Sequence, residues 1–412
     1  MKLFLVALLL HTSLIEAFDS ELTFRSGFIQ DKDSNQTNHK AGLKLRKQSN
    51  SIEFQLNSSL ALANDITETT IEEAFVKAPL FSFAFQEFAL YTGRFSVQTT
   101  TNRYIPAFHD TIDGFGLVAL NSNRSIQVIF DALLNNPVND NEDYFTREPV
   151  NSFFKKSQDS YRFLFLLKSW LYGVNASFLA AMTFYGNDAI HNRDLSGHGL
   201  WGDYADNDHL TNIELFLEYQ IEWLGGQSSN LNLLCAMSHG YDKKLAKTDI
   251  DLSGQSMAIS IDHSFHKKIP KLILFGGIAS QPIWENSQQV NSGYIRLPGR
   301  SLREMQLGKF TGYTTHPQGI FYDNQLAGLM NFAGAALEHT VGHASLSLKL
   351  LFQANEFQPS KQREISLDYQ EFSGNLHLNY EHLIYTLSLA SGKDLLRETR
   401  EKKVKLFVQF KV

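Results

Sequence analysis

The chain has 412 residues, 43% hydrophobic and 12% aromatic, with a formal net charge of −6 at pH 7. So mild a charge, without a basic patch, leaves no surface for nucleic acid, whose binding rests on neutralised phosphates. The single cysteine, Cys235, excludes an intrachain disulfide framework. The mean hydropathy of −0.22 is that of a soluble protein. It is equally that of a membrane β-barrel, in which only alternate residues meet lipid.

Lys2 precedes an unbroken apolar run over residues 3–10, followed by a weakly polar exit ending at the small residue Ala17. This layout predicts a secretory signal peptide over residues 1–17. The run is far short of the roughly 20 apolar residues of a membrane-spanning helix. About 395 residues remain, within reach of one large domain, and residues 18–412 are read as one.

Alternation with period two then recurs along the chain. Ile52, Phe54 and Leu56 share one strand face and Ser51, Glu53, Gln55 and Asn57 the other. Tyr91, Gly93, Phe95 and Val97 alternate with Thr92, Arg94, Ser96 and Gln98. The clearest stretch is 211–223. Ile213, Leu215, Leu217, Tyr219, Ile221 and Trp223 oppose Asn212, Glu214, Phe216, Glu218, Gln220 and Glu222. It outlasts the usual soluble strand of about 5–6 residues and suits a tilted membrane strand of about 9–11 or slightly more. Similar faces run through 230–238, 257–262, 344–352 and 365–370, and these apolar residues do not have the three- and four-residue spacing of a helix. Turn chemistry places tight turns at 225–229, 373–375 and 391–394. Residues 135–156, 186–209 and 281–340 break the alternation and are expected as extracellular or inward-folded loops.

The last residues alternate again. Val404, Leu406, Val408, Phe410 and Val412 oppose Lys405, Gln409 and Lys411. At about 22 residues per strand and connection, the expectation is an all-β, antiparallel, up-and-down transmembrane barrel of about 18 strands (16–18). A soluble β-rich exported protein is the competing fold. An amphipathic C-terminal strand resembles the closing strand that barrel-assembly machinery reads, although Val412 stands where a terminal Phe is usual.

In a barrel the polar faces line the lumen. Lys44, Arg46, Arg94, Lys349, Lys405 and Lys411 would then face inward with Glu53, Glu214, Glu218, Glu222 and Asp368. Opposed acidic and basic walls set a transverse field that filters charged solutes. The histidines of 186–209 stand among aspartates, and His339 and His343 have His-x-x-x-His spacing. Thr340 replaces the Glu of a zinc-protease motif, so no metal or other cofactor is expected. Ser264 with His266, or His343 with Ser345, could share a strand face, but nothing else builds a hydrolytic site.

Four short stretches carry a family resemblance: Glu73-Ala74-Phe75-Val76, Tyr91-Thr92-Gly93-Arg94-Phe95, Asn102-Arg103-Tyr104-Ile105-Pro106 and Asp113-Gly114-Phe115, with Phe24-Arg25-Ser26-Gly27-Phe28 before them. Together they resemble the OprD-type porins, including the campylobacterial porins related to them. The match covers about the first third of the chain, and Phe95 and Asn102 depart from it. Alginate-export barrels and Hof-type outer-membrane proteins of Helicobacter share parts of the pattern. The resemblance implies an outer-membrane porin of a Gram-negative bacterium that passes small charged solutes. It places Arg94 and Arg103 nearest a basic ladder or constriction. An adhesin barrel with a plugged lumen and an outer-membrane lipid hydrolase are the alternatives.

Overall fold

A computed structural model describes residues 19–31, 35–49, 52–63, 66–83, 86–102, 104–132, 161–171, 173–185, 208–223, 226–242, 250–265, 269–280, 290–291, 332–353, 369–380, 382–394 and 399–411. They form one sheet. Its strands are β1 (Asp19–Asp31), β2 (Asn35–Ser49), β3 (Ile52–Ala63), β4 (Ile66–Phe83), β5 (Gln86–Gln98), β6 (His109–Leu120), β7 (Arg124–Asp131), β8 (Tyr161–Leu171), β9 (Val174–Tyr185) and β10 (Asp208–Trp223). Then follow β11 (Gln227–Asp242), β12 (Ile250–Ser264), β13 (Lys271–Ala279), β14 (Val290–Asn291), β15 (Phe332–Val341), β16 (Ala344–Gln353), β17 (Tyr369–Tyr380), β18 (Leu383–Asp394) and β19 (Thr399–Lys411).

Each long strand pairs antiparallel with the next, and β1 pairs with β19 from Thr23↔Lys411 to Asp31↔Lys403, which closes the ring. The two-residue β14 stands apart from the wall. It lies parallel against Asp251 and Leu252 of β12, above the point where the shorter β13 ends. The wall therefore has 18 strands, the expected number.

The two rims differ. At the rim bearing the first residue of β1 and the last of β19, no connection exceeds six residues. At the other rim lie residues 132–160, 186–207, 280–331 and 354–368 between strands. That asymmetry is the one seen in outer-membrane barrels, with short periplasmic turns and longer extracellular loops.

Burial tells which face is inside. On β10, Leu215, Tyr219 and Trp223 are exposed, whereas Asn212, Glu214 and Phe216 are buried. On β12, Met257, Ile259 and Ile261 are exposed and Ala258, Ser260 and Asp262 buried. The wall thus turns apolar side chains outward, the arrangement that a hydrocarbon surrounding favours. Outward aromatics gather in one upper group, where Phe115 stacks on Phe130 at 5.3 Å and Tyr161 on Phe184 at 5.0 Å. Others, among them Trp223 and Tyr380, lie near the short-turn rim.

Three expectations are corrected. Residues 373–375 are not a turn but the middle of β17, with Gly374 paired to Leu348 and Leu389. Residues 391–394 are the upper end of β18. The segment 281–340 ends in a strand, since Phe332–Val341 is β15. The turn expected over 225–229 is shorter: Gly226 is a turn residue at φ 75°, whereas residues 227–229 already belong to β11. The alternation over 365–368 and the signal segment lie outside the described residues.

Candidate functional site

The lumen is the site. One short connection folds into it. Residues 99–102 and 104–108 join β5 to β6, and a neck closes the loop where the Thr99 N–H donates to the Phe108 carbonyl at 3.0 Å. Inside the loop the Asn102 side chain accepts from the Tyr104 N–H at 2.8 Å, and Thr100 Oγ1 accepts from the Asn102 N–H at 3.0 Å. These side-chain turns satisfy backbone groups that a buried loop would otherwise leave unpaired.

Four bonds fasten the loop to the wall. Ser177 Oγ on β9 donates to the Thr99 carbonyl at 2.9 Å. Glu214 on β10 accepts from the Phe108 N–H at 3.0 Å. Asn102 Nδ2 donates to Ser260 Oγ on β12 at 3.0 Å, and the Tyr104 hydroxyl donates to Glu338 on β15. Apolar burial adds to them. Tyr104, Ile105 and Ala107 pack against Phe216, Leu234, Ala258, Ile273, Phe275 and Phe332, with the Tyr104 ring 5.0 Å from that of Phe275. Phe108 joins a second cluster with Phe95, Ile112, Ile129, Leu164, Leu166 and Leu179. Beside it the buried Arg162 guanidinium meets Asp110 and Asp131, each at 2.6 Å. A buried cation between two carboxylates holds β6, β7 and β8 in register, and losing it would strand both acids.

The loop leaves the inward faces of β19 and β1–β3 outside both clusters. Here the register aligns Arg25 with Lys40 and Gln409, Glu21 with Lys44, and Lys44 with Asn57. Arg46 is 2.9 Å from Glu53, and Gln55 donates to Glu73 on β4. Lys405 shares the inward face of β19 with Phe407, which lies 3.7 Å beneath the Arg25 guanidinium. Counting round the 18-strand wall, β10 is nine strands from β1 in both directions. The Glu214, Glu218 and Glu222 face therefore lies across the lumen from the lysines and arginines of β1 and β2.

The expected site residues divide accordingly. Lys44, Arg46, Glu53, Glu218, Glu222 and Lys405 all stand on inward faces. Glu218 accepts from Asn175 at 3.0 Å. Glu214 is inward but 0% exposed, because it anchors the loop. Lys349 is inward and buried between the faces of β15 and β17. Arg103 and Asp368 lie outside the described residues. Arg94 is a correction. It faces outward, where Nε and Nη2 grip both oxygens of Asp113 at 2.9 Å and Nη1 donates to the Ile71 carbonyl at 2.8 Å. The register of β4 skips Glu72, between Ile71 and Glu73, and Arg94 caps the carbonyl beside that bulge. The cause of the reversal is the loop. Its apolar side chains require an apolar inner wall, so Phe95 and Val97 turn in and Arg94 turns out.

The residues that sequence reasoning missed are the anchors Ser177, Ser260 and Glu338 and the triad Asp110–Arg162–Asp131. Each meets its partner across strands far apart in the chain. Arg25 was quoted only as part of a family-like stretch. Among the described residues no group of three or more His, Cys, Asp or Glu could hold a metal ion. His343 stacks on Tyr380 at a short turn.

A closed antiparallel barrel of 18 long strands, apolar outside, with charged inner faces beside an inward loop packed on an apolar part of the inner wall, has the architecture of a porin. Solved structures bear this out at the level of the fold. The OccK5 (OpdH) structure of Pseudomonas aeruginosa aligns with a TM-score of 0.58 and 12% identity, over 96% of this chain and 98% of that one. OccK2 (OpdF) of the same organism aligns at 0.57 and 10%, over 96% and 98%. Its OprD aligns at 0.54 and 12%, over 96% and 95%. No family model and no curated protein matches the sequence.

Proposed function

We propose that the protein is an outer-membrane diffusion channel of a Gram-negative bacterium, passing small charged solutes through a water-filled lumen. The observation that carries this reading is the lumen itself. Basic side chains on β1, β2 and β19 stand opposite the glutamates of β10, and the inward loop is fastened to the acidic side. The passage is thereby pushed toward Arg25, Lys40, Lys44, Arg46 and Lys405, which favour anionic groups. Fixed charges of opposite sign across a narrow passage orient a solute that carries a dipole or a carboxylate. Of the structures with this fold, one of OccK2 (OpdF) is in complex with glucuronate, a carboxylated sugar of that kind.

This reading assigns the chain no covalent chemistry and no cofactor. Its partners are outer-membrane lipid around the apolar face, the solute inside, and the barrel-assembly machinery, met through β19. Residues 1–17 serve export and residues 18–412 the barrel. Purified protein in a planar bilayer gives discrete ion-conducting steps if the reading holds. A folded, heat-modifiable barrel that stays silent refutes it and points to a plugged adhesin.

A further inference from the structure

We infer that the outward corner where β18 and β19 reach the long-loop rim is a binding site for the phosphate groups of an outer-leaflet lipid, held by Lys393, Arg400 and Lys402. The site presupposes the outer-membrane reading above. Strand register assembles it. At the top of the corner Gln370, Lys393 and Arg400 stand side by side on β17, β18 and β19. The next outward row down is Phe372, Ser391 and Lys402. Below it β18 and β19 turn apolar, through Leu389 and Val404 to Leu387 and Leu406, with Leu376 and Phe28 at either side. Phe372, Leu389, Leu406 and Phe28 are exposed, so the hydrocarbon belt begins directly beneath the three cations.

The cluster is unbalanced within the chain. Lys393 is paired directly with Arg400, and like charges opposite each other across two strands are destabilising. The acids of the corner give no relief on that face. Positions 394 and 401 are paired with Thr399 and Gly392, one step out of phase with the outward pairs, and so fall on the inner face. Glu371 is inward too, and buried. Along the sequence Arg400 and Lys402 alternate with Thr399 and Glu401, so the charge there reads as nearly balanced until the strand sorts the bases outward. Among the described residues none of the three cations has an ion-pair partner. Nor does any other described lysine or arginine face outward at the long-loop rim, where β5, β8 and β9 present Gln98, Tyr161 and Phe184.

Position and charge select the occupant. Side chains on the outer wall do not meet solutes in the lumen, so the permeant is not the ligand. A lipid whose chains lie along Leu389 and Leu406 brings its headgroup to the height of Lys393, Arg400 and Lys402, and anionic headgroups are drawn to basic clusters at a membrane surface. Neighbouring strands are about 4.8 Å apart and alternate residues on one strand about 7 Å, so the three side chains converge on one multiply phosphorylated headgroup. The Arg400 guanidinium suits two phosphate oxygens side by side, and the two lysines add point charges. Only residues 32–34 and 395–398 connect the strands over this corner, so little chain is available to cover it.

The test is lipid binding to the full-length protein, delipidated in neutral detergent, by native mass spectrometry with added diphosphorylated glucosamine lipid. The parent binds this lipid, and binds the same lipid stripped of phosphate roughly a hundredfold more weakly, at about a factor of five for each cation. The triple change Lys393→Gln, Arg400→Gln and Lys402→Gln loses as much. Lys47→Gln, at an outward lysine near the short-turn rim, loses nothing. If the triple variant does not fold, Arg400→Gln alone reads the site as about a fivefold loss. Equal binding of the phosphate-free lipid, or a triple variant that binds as the parent does, overturns the site. Inorganic phosphate bound as tightly as the lipid assigns the cations to a soluble anion and overturns it too. Planar-bilayer conductance separates the two readings. A conducting parent indifferent to lipid phosphate refutes this site alone, and a silent barrel that binds the lipid through these residues refutes the channel alone.

Discussion

Tyr104→Phe isolates the bond that ties the tip of the inward loop to the wall. The ring packs on Phe275 at 5.0 Å and would keep that contact, so the change removes one hydroxyl and nothing else. The hydroxyl donates to Glu338 across the lumen. A hydrogen bond to a charged acceptor is worth about 1.5–3 kcal/mol. With a factor of ten per about 1.4 kcal/mol, states in which the tip has left β15 become roughly tenfold to a hundredfold more populated. The bonds to Ser177, Glu214 and Ser260 remain, so the loop loosens at its tip without leaving the lumen. Single-channel recording is the assay. The parent gives quiet open levels, and Tyr104→Phe gives flicker with brief excursions to larger conductance. Traces of the variant that superpose on the parent in level and noise would refute the anchoring role. Glu338→Gln, which keeps an acceptor, stays closer to the parent.

Arg162→Leu leaves Asp110 and Asp131 buried without their cation, and breaking such a group costs about 3–5 kcal/mol; the temperature at which the folded gel band disappears falls accordingly. Lys44→Glu with Arg46→Glu lowers the anion-to-cation permeability ratio and Glu218→Gln with Glu222→Gln raises it. Both are read as reversal potentials in about 0.1 M salt, and both effects fade near 1 M, where charges are screened within about 3 Å. Gly93→Val lowers the yield of folded barrel in refolding assays, because φ is 112° there and a Cβ would sit 2.2 Å from the Ala74 carbonyl oxygen. Gly173→Ala, at a turn where a Cβ meets nothing within 4 Å, is milder.

The architecture was legible because a barrel wall writes itself as alternation. Faces read on residues 211–223, 230–238 and 257–262 are the faces that β10, β11 and β12 display, and Val404, Leu406, Val408 and Phe410 share the outward face of β19. What alternation does not say is which face is inside. On β10 the apolar set faces out, whereas on β5 Phe95 and Val97 face in, because Phe108 and its neighbours bring apolar surface into the lumen. That single inversion moved Arg94 from the pore to the outer wall. β15 escaped notice because Gly334, Ala333, Ala335 and Ala336 give its pattern little contrast. Ser373-Gly374-Asn375 looked like a turn because glycine is usually read that way, yet Gly374 is an outward strand position with Leu348 Cδ2 3.0 Å from where its Cβ would be. The loop anchors were beyond local reading altogether, since Tyr104 and Glu338 are 234 residues apart in the chain.

The seam between β1 and β19 sets the order of events in assembly. Until Thr23–Asp31 meets Lys403–Lys411, both strands are open edges, with a row of unpaired N–H and C=O groups that any passing strand can capture. Those groups belong to the first and last strands in the sequence, so no stretch of partly made chain can close the ring. The polypeptide has to be kept from pairing with itself or its neighbours throughout synthesis and transit. Closure has to wait for both strands, a contact of the longest sequence separation among the described residues and so the slowest to find unaided.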